Sequence, residues 1–262
     1  MPQYPLKDGT STTDVRLDRI PAFDPQSLNF RIRAALDESQ QQTLWTRNWN
    51  APAGTPVLDQ GQEGACTGFG VTNELLWNPV PVPALDAAFA REKIYWPAQE
   101  GDPWPGGAYP GANPHYDGTA VLFAIKAAVS LGYYTEYRWG TSEAEMALGL
   151  SHLGPAVIGI DWYRGMFTPN SGGFLRLTGG KAGGHCILVT GINVNAGYYT
   201  VHNSWGPTWG VNGDAKIRRD DMAELLAADG ECCIITGRSI PHPAQEQQDA
   251  SAEAPNDAEN AE

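Results

Sequence analysis

The segment D-Q-G-Q-E-G-A-C-T-G-F-G, residues 59–70, places one cysteine where a glycine-rich loop gives way to a helical pattern. Free amides at a helix N-terminus, together with the helix dipole, favour a thiolate there. The thiolate is the form of cysteine that attacks a carbonyl carbon. The flanking glycines let backbone come close to a substrate. Gln60, six residues before Cys66, carries a side-chain N–H that can meet a developing oxyanion. A buried, inert cysteine fits this segment about equally well, so the decision falls to other parts of the chain.

The run G-G-H-C-I-L-V-T-G-I begins a strand at His185, and after a short loop at 193–197 the chain returns as G-Y-Y-T-V-H-N-S-W-G. If the two runs form a hairpin, opposite residues have numbers that sum to about 390. His185 then faces Trp205, Asn203 faces Ile187, and all four share one face of the ribbon. His185 and Asn203 become diagonal neighbours at ~7–8 Å between Cα atoms, closer through their side chains. The Asn203 oxygen can accept from one imidazole nitrogen and fix the tautomer, leaving the other nitrogen for Cys66. Trp205 is placed to shield that bond from water. A structural histidine is the bland reading of His185 alone; three matching segments in order argue against it.

Taken together, Q-G-x-x-G-x-C, G-H-x-x-x-V-x-G and N-S-W-G-x-x-W-G resemble the papain-like cysteine peptidases, over about residues 59–217. The matching positions are Gln60, Gly61, Gly64, Cys66, Gly184, His185, Val189, Gly191, Asn203, Ser204, Trp205, Gly206, Trp209 and Gly210. The resemblance implies a two-lobed fold, a helical N-terminal lobe and an antiparallel β C-terminal lobe, with the active site in the cleft between them. It implies Cys66 as nucleophile, His185 as general base and acid, Asn203 as its orienter and Gln60 as oxyanion donor beside the Cys66 amide. Gly118, in D-G-T before a helix, falls where such enzymes present backbone to the substrate's P2 residue, with Gly106 and Gly107 as competitors. Gly184 and Trp205 complete the expected substrate-binding set. Thr67 stands where the family has Trp or Tyr, and Glu63 and Ala65 stand where it has a disulfide cysteine and a serine. The first residues lack the helical pattern of a papain pro-region. These departures resemble the compact bacterial or viral branches.

The elements that must position these residues are legible in part. Helical patterns cover residues around Phe69, Leu75 and Leu76, then residues 119–131 with Thr119 as N-cap and Gly132 as stop, then a helix to about Leu153 opened by Ser142 and Glu145. Residues 96–116 read as a loop rich in Gly, Pro and aromatics. Strand patterns follow at 156–162, 185–192, 198–204, 214–218 and 232–236. Helices first and strands later mean an α+β fold, with a cleft between the halves as the natural site. The expected domains are an N-terminal arm or leader at 1–48, a catalytic domain at 49–241 and an acidic disordered tail at 242–262. The arm either lies over the body or is loosely ordered. A segment so placed could occupy the cleft as an inhibitor, with self-cleavage near Trp49 releasing it.

Composition excludes other classes. The net charge of the 262-residue chain is −13, six of those charges come from 243–262, and the remaining −7 leaves no basic footprint for nucleic acid. No run approaches ~18 apolar residues, so no membrane-spanning helix is expected. No apolar h-region follows the first methionine, which points to the cytoplasm unless export takes another route. The four cysteines, Cys66, Cys186, Cys232 and Cys233, are too few and too irregular for a disulfide framework. They also lack zinc-ligand spacing, so no metal or other cofactor is expected. The implied partner is a peptide or protein substrate. Acyl transfer or deamidation on the same site, and a catalytically silent binding module, are the rival readings.

Overall fold

The structure is a computed structural model that describes residues 2–22 and 25–241; the expected tail at 242–262 lies outside the described residues. After a single helical turn at Glu38–Gln41, the helix α1 (Cys66–Leu76) is buried along its whole length. It therefore runs through the middle of the molecule rather than over a surface. Gly68 makes that possible: a Cβ there would stand 2.4 Å from the Ala90 carbonyl oxygen. Bare backbone lets the helical run 87–101, with a π-helical centre at Ala90–Tyr95, pack directly on α1. α2 (Val121–Ser130) and α3 (Glu143–His152) follow. Ser142 caps α3 by accepting from the Glu145 amide at 3.3 Å. Loss of that bond in Ser142→Ala costs about 1 kcal/mol, which lowers Tm by roughly 2–4 °C in a chain of this size. A thermal melt of the two chains measures it, and an unchanged Tm would show that the cap contributes nothing.

Among the described residues, seven strands form one antiparallel sheet, apart from a small N-terminal hairpin. They are β1 (Arg47–Asn48), β2 (Tyr134–Gly140), β3 (Ala156–Tyr163), β4 (Lys181–Asn193), β5 (Tyr198–His202), β6 (Asp214–Arg218) and β7 (Glu231–Arg238), in the order β2-β7-β3-β4-β5-β6 with β1 paired to β4. Between β6 and β7 lies α4 (Arg219–Ala227). The helical N-terminal lobe and the antiparallel lobe make the expected α+β arrangement, and one continuous apolar core joins them. The β4–β5 hairpin pairs Leu188 with His202 and Val189 with Val201, the register expected from sequence near the site. A bulge after Val189 shifts the register farther out.

Four elements differ from the sequence reading. Residues 96–101 are helical rather than loop: they continue the run from residue 87, and Pro97, which has no N–H to donate, follows directly on its π-helical turn. Thr119 does not cap α2; the cap position is Ala120, with no side-chain bond, and Thr119 stays extended. β2 and α4 were not foreseen. In β2 the exposed Glu136 interrupts the apolar pattern, and α4 buries only Met222, Leu225 and Leu226.

The N-terminal residues are not a loose leader. Residues 4–5 and 11–12 form a small hairpin, and 25–29 and 32–35 are 3₁₀ turns. Between them the chain crosses the molecule with Leu17, Asp18, Arg19 and Ile20 all buried. Lys7 is anchored by its ammonium to the Asp102 carboxylate at 2.8 Å and the Gln99 carbonyl at 2.7 Å.

Candidate active site

Cys66 is the first residue of α1, and its thiol accepts from the Cys186 amide at 3.2 Å. The thiol therefore lies against the peptide that follows His185, within the β4 segment 181–189 that pairs with β3. His185 Nε2 lies 2.8 Å from Asn203 Oδ1. That oxygen also accepts from the Ser204 amide at 2.8 Å, which orients oxygen rather than nitrogen toward the ring. Nε2 must then carry the hydrogen, and Nδ1 is left with its lone pair and no hydrogen bond among the described residues. Trp162 and Trp205 close on the imidazole, with ring centroids 4.7 and 4.8 Å away. Sequence reasoning anticipated the second tryptophan and missed the first, which comes from β3.

Gln60 is tied into the same cluster. Its backbone amide donates to the Ser204 carbonyl at 2.8 Å, and its Oε1 accepts from the Ser204 hydroxyl at 2.8 Å. The hydroxyl thus turns Gln60 Nε2 so that it donates to the Glu63 carbonyl at 2.8 Å and points its other hydrogen into the cleft. The structure brings Cys66, His185, Asn203 and Gln60 into one site. Cys66, His185 and Asn203 are 0% exposed and Gln60 is 1% exposed, so the cleft is shut.

What shuts it is the N-terminal arm. Gln60 Nε2 donates to the Arg16 carbonyl at 3.2 Å, and the Cys66 amide donates to Asp18 Oδ1 at 3.0 Å. The Arg19 amide donates to the Gly184 carbonyl at 3.2 Å, and the Ile20 amide to the Thr119 carbonyl at 3.0 Å. The Arg16 guanidinium lies over Trp205 at 4.2 Å. Of the expected substrate-binding residues, Gly184 and Trp205 thus contact the arm. Gly118 borders it too, but its own amide and carbonyl are taken by Tyr95 and Gln99, and the neighbouring Thr119 offers the free carbonyl. Gly106 and Gly107 pack on residues 109–114 instead. Nothing in the spacing of the arm residues pointed at the cleft; the one available signal was the alternation in D-V-R-L-D-R-I, residues 14–20.

The arm also sets the charge state of the site. Burial pushes the Cys66 thiol well above its ordinary pKa, and the Asp18 carboxyl adds to this. Burial holds His185 down to about 4, opposed by the Asn203 hydrogen bond and aided by the Arg16 cation. Burial raises Asp18 itself to about 7, against the hydrogen bonds it makes to Cys66 and with help from Asp117. The closed site is therefore uncharged at thiol and imidazole near neutral pH. The arm also presents no scissile bond: the two oxyanion donors go to different groups, a backbone carbonyl and a carboxyl side chain.

Other candidates fall outside this cluster. His202 pairs with Asp214 at 2.7 Å, and His152 contacts the Thr43 carbonyl at 2.7 Å. Cys186, Cys232 and Cys233 are buried and free. Trp49, where self-cleavage was expected, is buried, its amide bound to the Thr190 carbonyl and its indole N–H to the Leu150 carbonyl; this bond is held in the sheet, away from the thiol. Among the described residues there is no group of three or more His, Cys, Asp or Glu that could hold a metal, and no helix long and apolar enough to cross a membrane.

Comparison with known proteins agrees with this arrangement. A family profile described as papain family cysteine protease matches residues 111–241, which include His185 and Asn203 but not Cys66. Human cathepsin O is 31% identical over 119 residues, 44% of this chain and 34% of that protein. The viral cathepsin of Mamestra configurata nucleopolyhedrovirus is 34% identical over 117 residues, 42% of this chain and 34% of that protein. The chain thus spans about a third of the length of the curated relatives it matches. Among solved structures, xylellain, a cysteine protease from Xylella fastidiosa, aligns with a TM-score of 0.64 at 16% identity, over 87% of this chain and 98% of that one. The ragweed pollen cysteine protease Amb a 11, in its proform, aligns with a TM-score of 0.51 at 17% identity, over 77% of this chain and 69% of that one. At such identities these two likenesses speak for the fold.

Proposed function

Because this chain belongs to the papain family of cysteine proteases, we propose that it is a thiol peptidase whose N-terminal residues 1–48 hold it in a closed, inactive form. The observation that carries this reading is the His185 Nε2–Asn203 Oδ1 bond beside a cysteine at a helix N-terminus. It leaves a basic nitrogen free for a thiol whose own amide is an oxyanion donor. Once the arm leaves, water and a substrate carbonyl replace the Arg16 carbonyl and the Asp18 carboxyl. His185 takes the Cys66 proton, and the thiolate adds to the carbonyl carbon. The oxyanion is held by Gln60 Nε2 and the Cys66 amide. The imidazolium returns its proton to the leaving nitrogen as the C–N bond breaks, giving a thioester. His185 then deprotonates a water that attacks the thioester, and the acid and the thiol are released.

The test is labelling of the full chain with a thiol-directed peptidyl epoxide, read by intact mass, beside Cys66→Ala and His185→Ala. The expected result is one adduct, on Cys66, that His185→Ala abolishes. Labelling that is indifferent to His185, in the parent chain and in a chain with a weakened arm, would instead fit a silent module that kept the fold.

A further inference from the structure

The side chain of Arg19 enters a pocket whose floor is a carboxylate. Arg19 Nε donates to Glu231 Oε2 at 2.8 Å, and Nη2 donates to the Asp229 carbonyl. Both side chains are almost wholly buried, at 0 and 3% exposure. The pocket opens between Gly184 and Thr119, the two backbone strips that hold the arm beside the thiol. Two of its wall positions are glycines, beside the Val121 side chain. A Cβ at Gly159 would stand 2.7 Å from Arg19 Nε and 2.9 Å from Glu231 Oε2. A Cβ at Gly184 would stand 2.2 Å from the Arg19 carbonyl oxygen and 3.3 Å from Arg19 Cδ. Glu231 and Asp229 also line a cavity of about 650 Å³, together with the arm residues Pro21 and Ala22 and with Gly140, Leu226 and Gly230.

We infer that Glu231 makes this pocket an arginine-selecting subsite: the substrate segment that replaces the arm is held by an arginine side chain against Glu231, an inference that rests on the peptidase reading above. Any chain laid across Gly184 and Thr119 beside Cys66 must offer a side chain to this pocket. An apolar occupant would cover a carboxyl group and leave it without a countercharge, which is costly. A guanidinium supplies the charge and two directed donors, one for Glu231 and one for the Asp229 carbonyl. An ammonium, a single point donor, matches the same pair less well.

The experiment uses the full chain with the arm weakened by Arg19→Ala, alone and together with the isosteric Glu231→Gln. The probes are epoxide peptides carrying arginine, lysine or leucine at the first or the second residue before the epoxide. Labelling of Cys66 at least tenfold faster with arginine than with leucine at one of the two positions is expected. In the double variant the ratio falls to within about twofold. Equal or faster labelling by the leucine probes, or an arginine preference that survives Glu231→Gln, overturns the inference. Iodoacetamide separates this from a failure of the peptidase reading, since its His185-dependent attack on Cys66 needs no subsite. As a check independent of the double variant's folding, n-propylguanidine should slow arginine-probe labelling of the Arg19→Ala chain, and n-butanol should not. Indifference to n-propylguanidine also overturns the inference.

Discussion

Alanine at Arg19 exposes the thiol: iodoacetamide labels Cys66 about two to four orders of magnitude faster than in the parent chain at pH 8. The closed arm buries the Arg19–Glu231 pair, and removing one partner strands the other charge. Breaking such a pair costs about 3–5 kcal/mol, and each ~1.4 kcal/mol is a factor of ten in the opening equilibrium. Labelling follows that equilibrium as long as reclosure outpaces alkylation. Burial already raises the Glu231 carboxyl, and the Arg19 cation is the first opposing influence, so the truncation acts on a strained group. Arg16→Ala is the control. Its guanidinium lies on the rim, paired with Asp14 and 23% exposed, so its loss should change labelling less than tenfold. Equal rates for the parent and the Arg19→Ala chain would show that the pair does not hold the arm.

Asparagine at Asp18 gives the opposite result, and only at high pH. In the closed arm Asp18 titrates at about 7 instead of its ordinary 3.8, because burial penalises the carboxylate. Ionisation of Asp18 therefore opposes closure. The penalty is absent below 3.8, grows between 3.8 and 7, and is complete above 7. The groups facing Asp18 are the Cys66 thiol, the Tyr95 hydroxyl and the Asp117 carboxyl, the last also raised by burial, to about 6. All of them are kept in the variant, and the amide oxygen can still accept from the Cys66 N–H. Asp18→Asn should match the parent near pH 4 and label about three orders of magnitude more slowly than the parent at pH 8, the rise from 3.8 to about 7 converted to a ratio. The parent has a second, opposing shift. His185 falls from 6.5 to about 4 on closure, so its protonation opposes closure below 6.5. Between about 4 and 6.5 the closed form holds a proton on Asp18 and the open form holds one on His185. The two counts match, and arm closure in the parent is nearly flat with pH. In Asp18→Asn that balance is gone, and closure strengthens as pH rises from 4 to 6.5. Identical pH profiles for the two chains would contradict the placement of Asp18 against Cys66.

The residues of the cleft were legible because each lies in a short local pattern. Cys66 follows a glycine-rich turn, and His185 and Asn203 share a hairpin whose register follows from strand period and loop length. Helix α3 was legible through Ser142 and Glu145, where one side chain meets one amide three residues on. Contacts that join distant segments were not. Arg19 meets Glu231 across 212 positions and Asp18 meets Cys66 across 48, and no local periodicity encodes either. The arm reads as polar because its charged residues are satisfied by the cleft rather than by water. Trp162 and Thr119 were missed for a related reason: their roles come from facing another strand or the arm, not from their own neighbours in sequence.

β1 is part of the sheet, its Asn48 paired with Gly191, and it marks where the arm leaves the body. An arm that opens is therefore still tethered a few tens of residues from its seat. Its local concentration for rebinding is of millimolar order whatever the concentration of protein. Dilution cannot relieve such an inhibitor, and a modest intrinsic affinity is enough to keep the site shut. Because no peptide bond of the arm is presented to the thiol, opening does not consume it. Under the proposed function the assembly would act as a self-closing valve that recloses after each opening, held open by a competing ligand or by a cut outside the cleft.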